Sequence, residues 1–79
     1  MEPAPTSGEE AIEYWLSLGL NLVELVGLDA DDARRRIEAL GGHAQIITPD
    51  VKVVTADFGS LRIRLRVDED GRVFRATAG

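Results

Sequence analysis

Residues 61–67 read Leu-Arg-Ile-Arg-Leu-Arg-Val, an alternation without a break. Successive side chains of a β-strand point to opposite faces, so Ile63, Leu65 and Val67 share one face and Arg62, Arg64 and Arg66 the other. The spacing predicts a strand with an apolar side to bury and a side that is all arginine. Whatever this chain folds into must therefore provide a core on one side of that strand and a use for three cations on the other.

The flanking segments supply the partners. Asp68-Glu69-Asp70-Gly71 is a turn sequence, with Asp70-Gly71 a strong hairpin signal, and Arg72–Ala76 reads as the returning strand. Upstream, Ala44–Thr48 reads as a further strand, closed by Pro49. Asp29 starts a helix whose first turn carries Asp31 and Asp32 and whose later part carries Arg34, Arg35 and Arg36, an order that suits the helix dipole. Ala33, Ile37 and Leu40 form its buried stripe, and Gly41-Gly42 stops it. Before it, Leu22–Leu28 is apolar and is expected to be extended or turn-like. Ser7 followed by Glu10 fits a capping box, opening an amphipathic helix that ends near Gly19-Leu20-Asn21. Ala11, Ile12, Trp15, Leu16 and Gly19 fall on one side of that helix, and its stripe is expected to be buried on the same domain. Residues 1–7 are expected to be a disordered lead-in. The fold class is α+β, with one main helix on a small mixed β-sheet, a long exposed binding loop and an extra N-terminal helix.

Size and charge narrow the functional classes. A chain of 79 residues allows one small domain that buries about 60 % of its unfolded surface. There are no cysteines, so neither disulfides nor thiolate zinc sites are available. The first residues have neither the basic nor the apolar region of a signal peptide, and no apolar run approaches the ~18 residues needed to span a bilayer. A cytoplasmic location is the expectation, or secretion if a leader has been removed. Residues 1–50 hold ten acids and three arginines (−7), Lys52 and Asp57 cancel, and residues 59–79 hold five arginines and three acids (+2), for a net charge of −5. An acidic total argues against nucleic acid or an anionic membrane as partner, including for the Arg34–Arg36 run, which reads as a solvated helix face.

Enzyme chemistry has little to work with. His43 is the only histidine, and its place after two glycines at a helix end points to a structural or solvated role. Thr48, Thr55 and Ser60 have no partner base for a triad. Asp68–Gly71 opens like a calcium loop but lacks the later ligands. No glycine-rich phosphate loop is present. No enzyme activity, cofactor or metal is expected.

The segment Thr55-Ala56-Asp57-Phe58 is different. It interrupts an apolar run, and exposing Val53, Val54 and Phe58 on so small a domain is unfavourable unless a partner covers them. An extended loop with alternating side chains can dock in an enzyme cleft as a strand. Arg62 and Arg64 share a strand face and could brace such a loop by charge-assisted hydrogen bonds to the Asp57 carboxylate and the Thr55 hydroxyl. Spacing alone favours the plainer reading, a strand with one wet face.

The ordered set Pro49, Val54, Thr55, Ala56, Asp57, Arg62, Ile63, Arg64, Val67, Asp68 and Gly71 resembles the potato inhibitor I family of serine protease inhibitors. Glu24-Leu25-Val26-Gly27, the helix positions Ala33 and Ile37, and Gly79 extend the resemblance over residues 22–79, and the tail is similar to bacterial and fungal elastase-inhibitor relatives. The resemblance implies one inhibitor-like domain over residues 8–79, with residues 8–21 an addition to the family core. It further implies a reversible, substrate-like inhibitor of a subtilisin- or elastase-like serine protease, expected to be a monomer. The reactive-site loop would be Val53, Val54, Thr55, Ala56, Asp57 and Phe58, with Ala56-Asp57 the scissile bond and Arg62 and Arg64 the braces. Gly59, where the family often has arginine, implies a looser flank. The competing reading is an interaction module that kept the scaffold and no longer inhibits a protease.

Overall fold

A computed structural model describes residues 7–51 and 59–79. The first helix, α1, spans Gly8–Ser17. The Ser7 hydroxyl accepts from the Glu10 amide at 3.3 Å, as the capping box requires, and Glu9 and Glu10 place negative charge in the first turn. Past Leu18 the chain enters the left-handed region at Gly19, with φ of 89°. The Gly19 amide then donates to Leu16 at 3.0 Å and the Leu20 amide to Trp15 at 2.9 Å, the bond pair of a Schellman stop. The second helix, α2, spans Ala30–Ala39 and ends the same way. Gly41 has φ of 84°, its amide donates to Glu38 at 2.9 Å, and the Gly42 amide donates to Ile37 at 3.0 Å.

Between the helices, the turn-like alternative describes the segment. Leu22–Leu25 forms a 3-10 helix, nucleated by Asn21, whose side chain accepts from the Val23 amide at 3.2 Å. Val26 and Gly27 continue as a turn, with Gly27 at φ of 92°. Gly27 donates to Val73 at 2.7 Å, Val73 to Leu28 at 2.9 Å and Ala30 to Gly71 at 2.9 Å, so this stretch is pinned to the third strand.

Three strands, β1 (His43–Ile47), β2 (Arg62–Val67) and β3 (Val73–Ala78), lie in that order in one mixed sheet. The β1–β2 pair is parallel, with His43 opposite Arg62 and Ile47 opposite Arg66. The β2–β3 pair is antiparallel, and Phe74 is the extra residue where the register shifts between Arg66 and Val67. The hairpin closes at Asp68, whose carboxylate accepts from the Asp70 and Arg72 amides at 2.9 and 3.0 Å. Gly71, with φ of 80°, completes a type I turn with a left-handed last residue. Strand boundaries differ from the sequence expectation by one or two residues. Among the described residues no helix is long and apolar enough to cross a membrane.

The apolar face of β2 is buried as its alternation requires, with Ile63 and Leu65 fully shielded and Val67 nearly so. Ala33 and Ile37 of α2 cover it, while Leu40 is only half-buried. Trp15 enters the same cluster from α1 and is fully buried. The expected stripe of α1 is narrower than its periodicity suggests. Ala11 and Trp15 are buried, yet Ile12 is 44 % and Leu16 50 % exposed, and Gly19 is exposed. The helix packs at the edge of the core, mainly beside β3, so only one line of side chains, at i and i+4, reaches inward.

Gly42 lies against Trp15 of α1 and Ile37 of α2. A Cβ there would stand 2.3 Å from Trp15 Cη2 and 2.9 Å from Ile37 Cγ2, separations that packed atoms do not tolerate. Gly42→Ala should therefore cost about 1–3 kcal/mol by overpacking. Gly8→Ala, whose new methyl meets nothing closer than the Ala78 oxygen at 3.9 Å, should change stability by no more than about 0.5–1 kcal/mol. Denaturant midpoints for the two variants check the contrast, and equal costs would contradict the packing described. Trp15 offers a second check, because its Nε1 is buried with no hydrogen-bond partner. Trp15→Ala should cost about 3–5 kcal/mol. Trp15→Phe should cost clearly less, since it keeps much of the ring volume and removes an unpaired donor; similar losses for both would contradict this.

Candidate functional site

The two inner arginines of β2 occupy a different environment from the outer one. Arg62 and Arg64 are half-buried and Arg66 is exposed. Arg62 Nε donates to the Gly79 carbonyl at 2.9 Å, and the Gly79 amide donates back to the Arg62 carbonyl at 2.9 Å. The arginine is thus tied to the end of β3 through both its backbone and its side chain. Arg64 Nε donates to Gln45 Oε1 at 3.2 Å, across the parallel ladder where the two residues are in register. Arg66 stands opposite Arg75, a like-charge pair that anchors neither. Two of the three arginines are therefore fixed, each by its Nε. A guanidinium is planar, so holding Nε fixes the direction of the four donors on its terminal nitrogens.

Strand topology explains why these two cations matter. Parallel neighbours cannot be joined by a tight turn, because the chain must return from the end of one to the start of the other. Residues 48–61 make that return. At the β1 end a turn is closed by the Val51 amide donating to Thr48 at 3.1 Å. At the β2 end the His43 amide donates to Leu61 at 2.8 Å and the Arg62 amide to Gly59 at 3.2 Å. The backbone is hydrogen-bonded at both ends of the segment, and Arg62 and Arg64 lie on the β2 face opposite the core. The expected loop residues Val53, Val54, Thr55, Ala56, Asp57 and Phe58 lie outside the described residues.

Gln45 is not among the residues singled out in the sequence, and Gly79 is named there for the resemblance alone, with no role as an acceptor for Arg62. Gln45 could have been found from the polar position it takes in the Ala44–Thr48 run, but only once that strand is known to run parallel to β2. Gly79 required knowing that β3 ends beside Arg62.

The other candidates settle into structural roles. His43 is exposed at the start of β1. Arg34 pairs with Asp31 at 3.2 Å and Glu38 at 3.8 Å, and Arg35 with Asp32 at 3.9 Å, all on the solvated side of α2. The Asp68 carboxylate is engaged by backbone amides of its own turn. Among the described residues no group of His, Cys, Asp or Glu is arranged to hold a metal ion.

Comparison with known proteins places this arrangement. Residues 23–76 match the potato inhibitor I family. The chain is 35 % identical over 74 residues to subtilisin inhibitor 1 of Phaseolus angularis, covering 92 % of this chain and 80 % of the relative. It is 40 % identical over 52 residues to subtilisin inhibitor CLSI-I of Canavalia lineata, covering 66 % and 80 % of the two. Its fold matches the crystal structure of bitter gourd trypsin inhibitor with a TM-score of 0.62 and 36 % identity, over 71 % of this chain and 85 % of that one. With most of its length matched and its mixed three-stranded sheet in common with a solved inhibitor, the chain belongs to the potato inhibitor I family, a family of protease inhibitors and not of enzymes.

Proposed function

We propose that this protein is a reversible, substrate-like inhibitor of a subtilisin- or elastase-like serine protease, acting through Val53–Phe58 with Ala56-Asp57 as the scissile bond. Residues 8–79 act as one inhibitor domain in which α1 is an added element. Family membership and the subtilisin inhibitors among its relatives support this reading. The observation that carries it is the pair of anchored guanidiniums, Arg62 on Gly79 and Arg64 on Gln45, on the strand that follows the connecting segment.

In this reading the Ala56 side chain enters the primary specificity pocket, with Thr55 and Asp57 beside it. The protease serine attacks the Ala56 carbonyl, the bond to the Asp57 nitrogen breaks, and an acyl-enzyme forms. Arg62 and Arg64 hold the new Asp57 amine close to the acyl carbon. Its attack re-forms the peptide bond and releases the serine faster than water hydrolyses the ester. A segment already in its bound shape also loses little entropy on docking, which favours tight binding without disulfides.

Two experiments test the assignment. Titrating subtilisin and pancreatic elastase should give saturable inhibition by the parent. Ala56→Leu adds three carbons worth roughly 0.8 kcal/mol each when buried. After side-chain ordering, about 1–2 kcal/mol should remain, or roughly five- to thirtyfold tighter binding to subtilisin and less gain for elastase. If neither constant moves although the parent inhibits, Ala56 is not the residue in the pocket. Replacing Arg62 and Arg64 together by Ala should leave the fold intact and turn the protein into a substrate cut at Ala56-Asp57. A double variant that inhibits as well as the parent would remove the bracing role.

A further inference from the structure

Arg62 begins β2 three residues after Gly59, and its amide donates to the Gly59 carbonyl at 3.2 Å. The turn through Ser60 and Leu61 sets the two residues side by side, and the Arg62 side chain lies against the Gly59 backbone. A Cβ at position 59 would stand 2.9 Å from Arg62 Cβ, 2.9 Å from its Nε and 3.0 Å from its Cζ. Non-bonded atoms of this kind are at ease only beyond roughly 3.5 Å. The contact cannot be relieved by moving the tip of a loose side chain. Arg62 Cβ is fixed by the β2 backbone, and Nε is the atom that donates to Gly79 at 2.9 Å. A methyl group at position 59 would have to displace the guanidinium from its anchor.

We propose that Gly59 is a positioning residue for the Arg62 guanidinium, its missing side chain being the space in which that cation lies. Gly59 excludes one direction and the Gly79 carbonyl fixes the other, so the two glycines together set the plane of the group at the start of β2. The expectation of a looser flank is thereby reversed, because this glycine permits the close approach that holds Arg62. The consequence for inhibition rests on the function proposed above, whereas the placement of the guanidinium does not.

The test uses the full chain with Gly59→Ala, Arg62→Ala and both together. In the free protein, the Arg62 Nε–H proton, assigned by its disappearance in Arg62→Ala, should exchange with water about tenfold faster in Gly59→Ala, the factor that one lost hydrogen bond carries. Ser60→Ala, one residue along, should leave it as in the parent. An Nε–H signal unchanged in Gly59→Ala would overturn the proposal. With subtilisin, Gly59→Ala should raise the cleavage rate at Ala56-Asp57, and the double variant should be cut no faster than Arg62→Ala alone. Additive effects would mean that Gly59 acts on the protease directly and would overturn its role through Arg62. A parent that inhibits no protease would remove the proposed function, and the Nε–H exchange would still decide the positioning.

Discussion

The parallel pairing of β1 and β2 is the constraint from which the rest of this structure follows. Two parallel strands side by side require the chain to travel back the length of the sheet, here about 16 Å at the usual strand rise. Such a return is most often made by a helix packed on the sheet. Here residues 48–61 must make it from Thr48 and Val51 at one end to Gly59 and Leu61 at the other, with backbone hydrogen bonds at both ends. Among the described residues both α-helices precede β1; α2 covers the apolar face of β2 and α1 adds Trp15 to the same cluster, so the opposite face is left to its arginines. A chain of this size thereby gains a long connection whose termini are fixed by the sheet.

Charge on that face is organised by neighbours more than by number. Arg62, Arg64 and Arg66 are equivalent in the sequence, yet the first reaches Gly79, the second reaches Gln45, and the third faces Arg75. A hydrogen bond to a charged donor contributes about 1.5–3 kcal/mol where water is excluded and less where it is not. For half-buried groups the larger effect is geometric, because a guanidinium held at Nε presents its remaining donors in a fixed direction. In the function proposed here, anchored cations would hold the connecting segment of a protein without cysteine, a task that a secreted domain of similar size often gives to disulfides. The proposed inhibition draws on this, since a loop that keeps its shape after cleavage favours resynthesis of the bond.

Much of this was legible in the sequence because short-range rules decide it. The unbroken alternation of residues 61–67 defined β2 and its two faces. Ser7 with Glu10 defined the start of α1, and Gly41-Gly42 the end of α2. What escaped notice depends on who the neighbours are. Helical periodicity marks Ile12 and Leu16 as apolar, but it cannot tell how wide a stripe the surroundings will cover, and β3 covers only the line through Ala11 and Trp15. Gln45 looked like an ordinary polar strand residue until the parallel register set it opposite Arg64. Gly59 is harder still to read, because a glycine can mean freedom of the backbone or, as proposed above, room for a side chain three residues away. At Leu22–Leu25 the apolar residues leave extended and turn-like backbone both open, and the Asn21 cap decides for the turn.

In the proposed function, Ala56-Asp57 is a bond a protease can both cut and remake while the scaffold holds its two sides together. The direct measurement is to start from intact protein and, separately, from protein already cut at that bond, each with a catalytic amount of subtilisin, and to follow both by mass spectrometry. The two mixtures should converge on one ratio of intact to singly cut protein, with no other bond opened. Cut protein that never regains the bond, or cleavage at other positions while the intact form disappears, would contradict it.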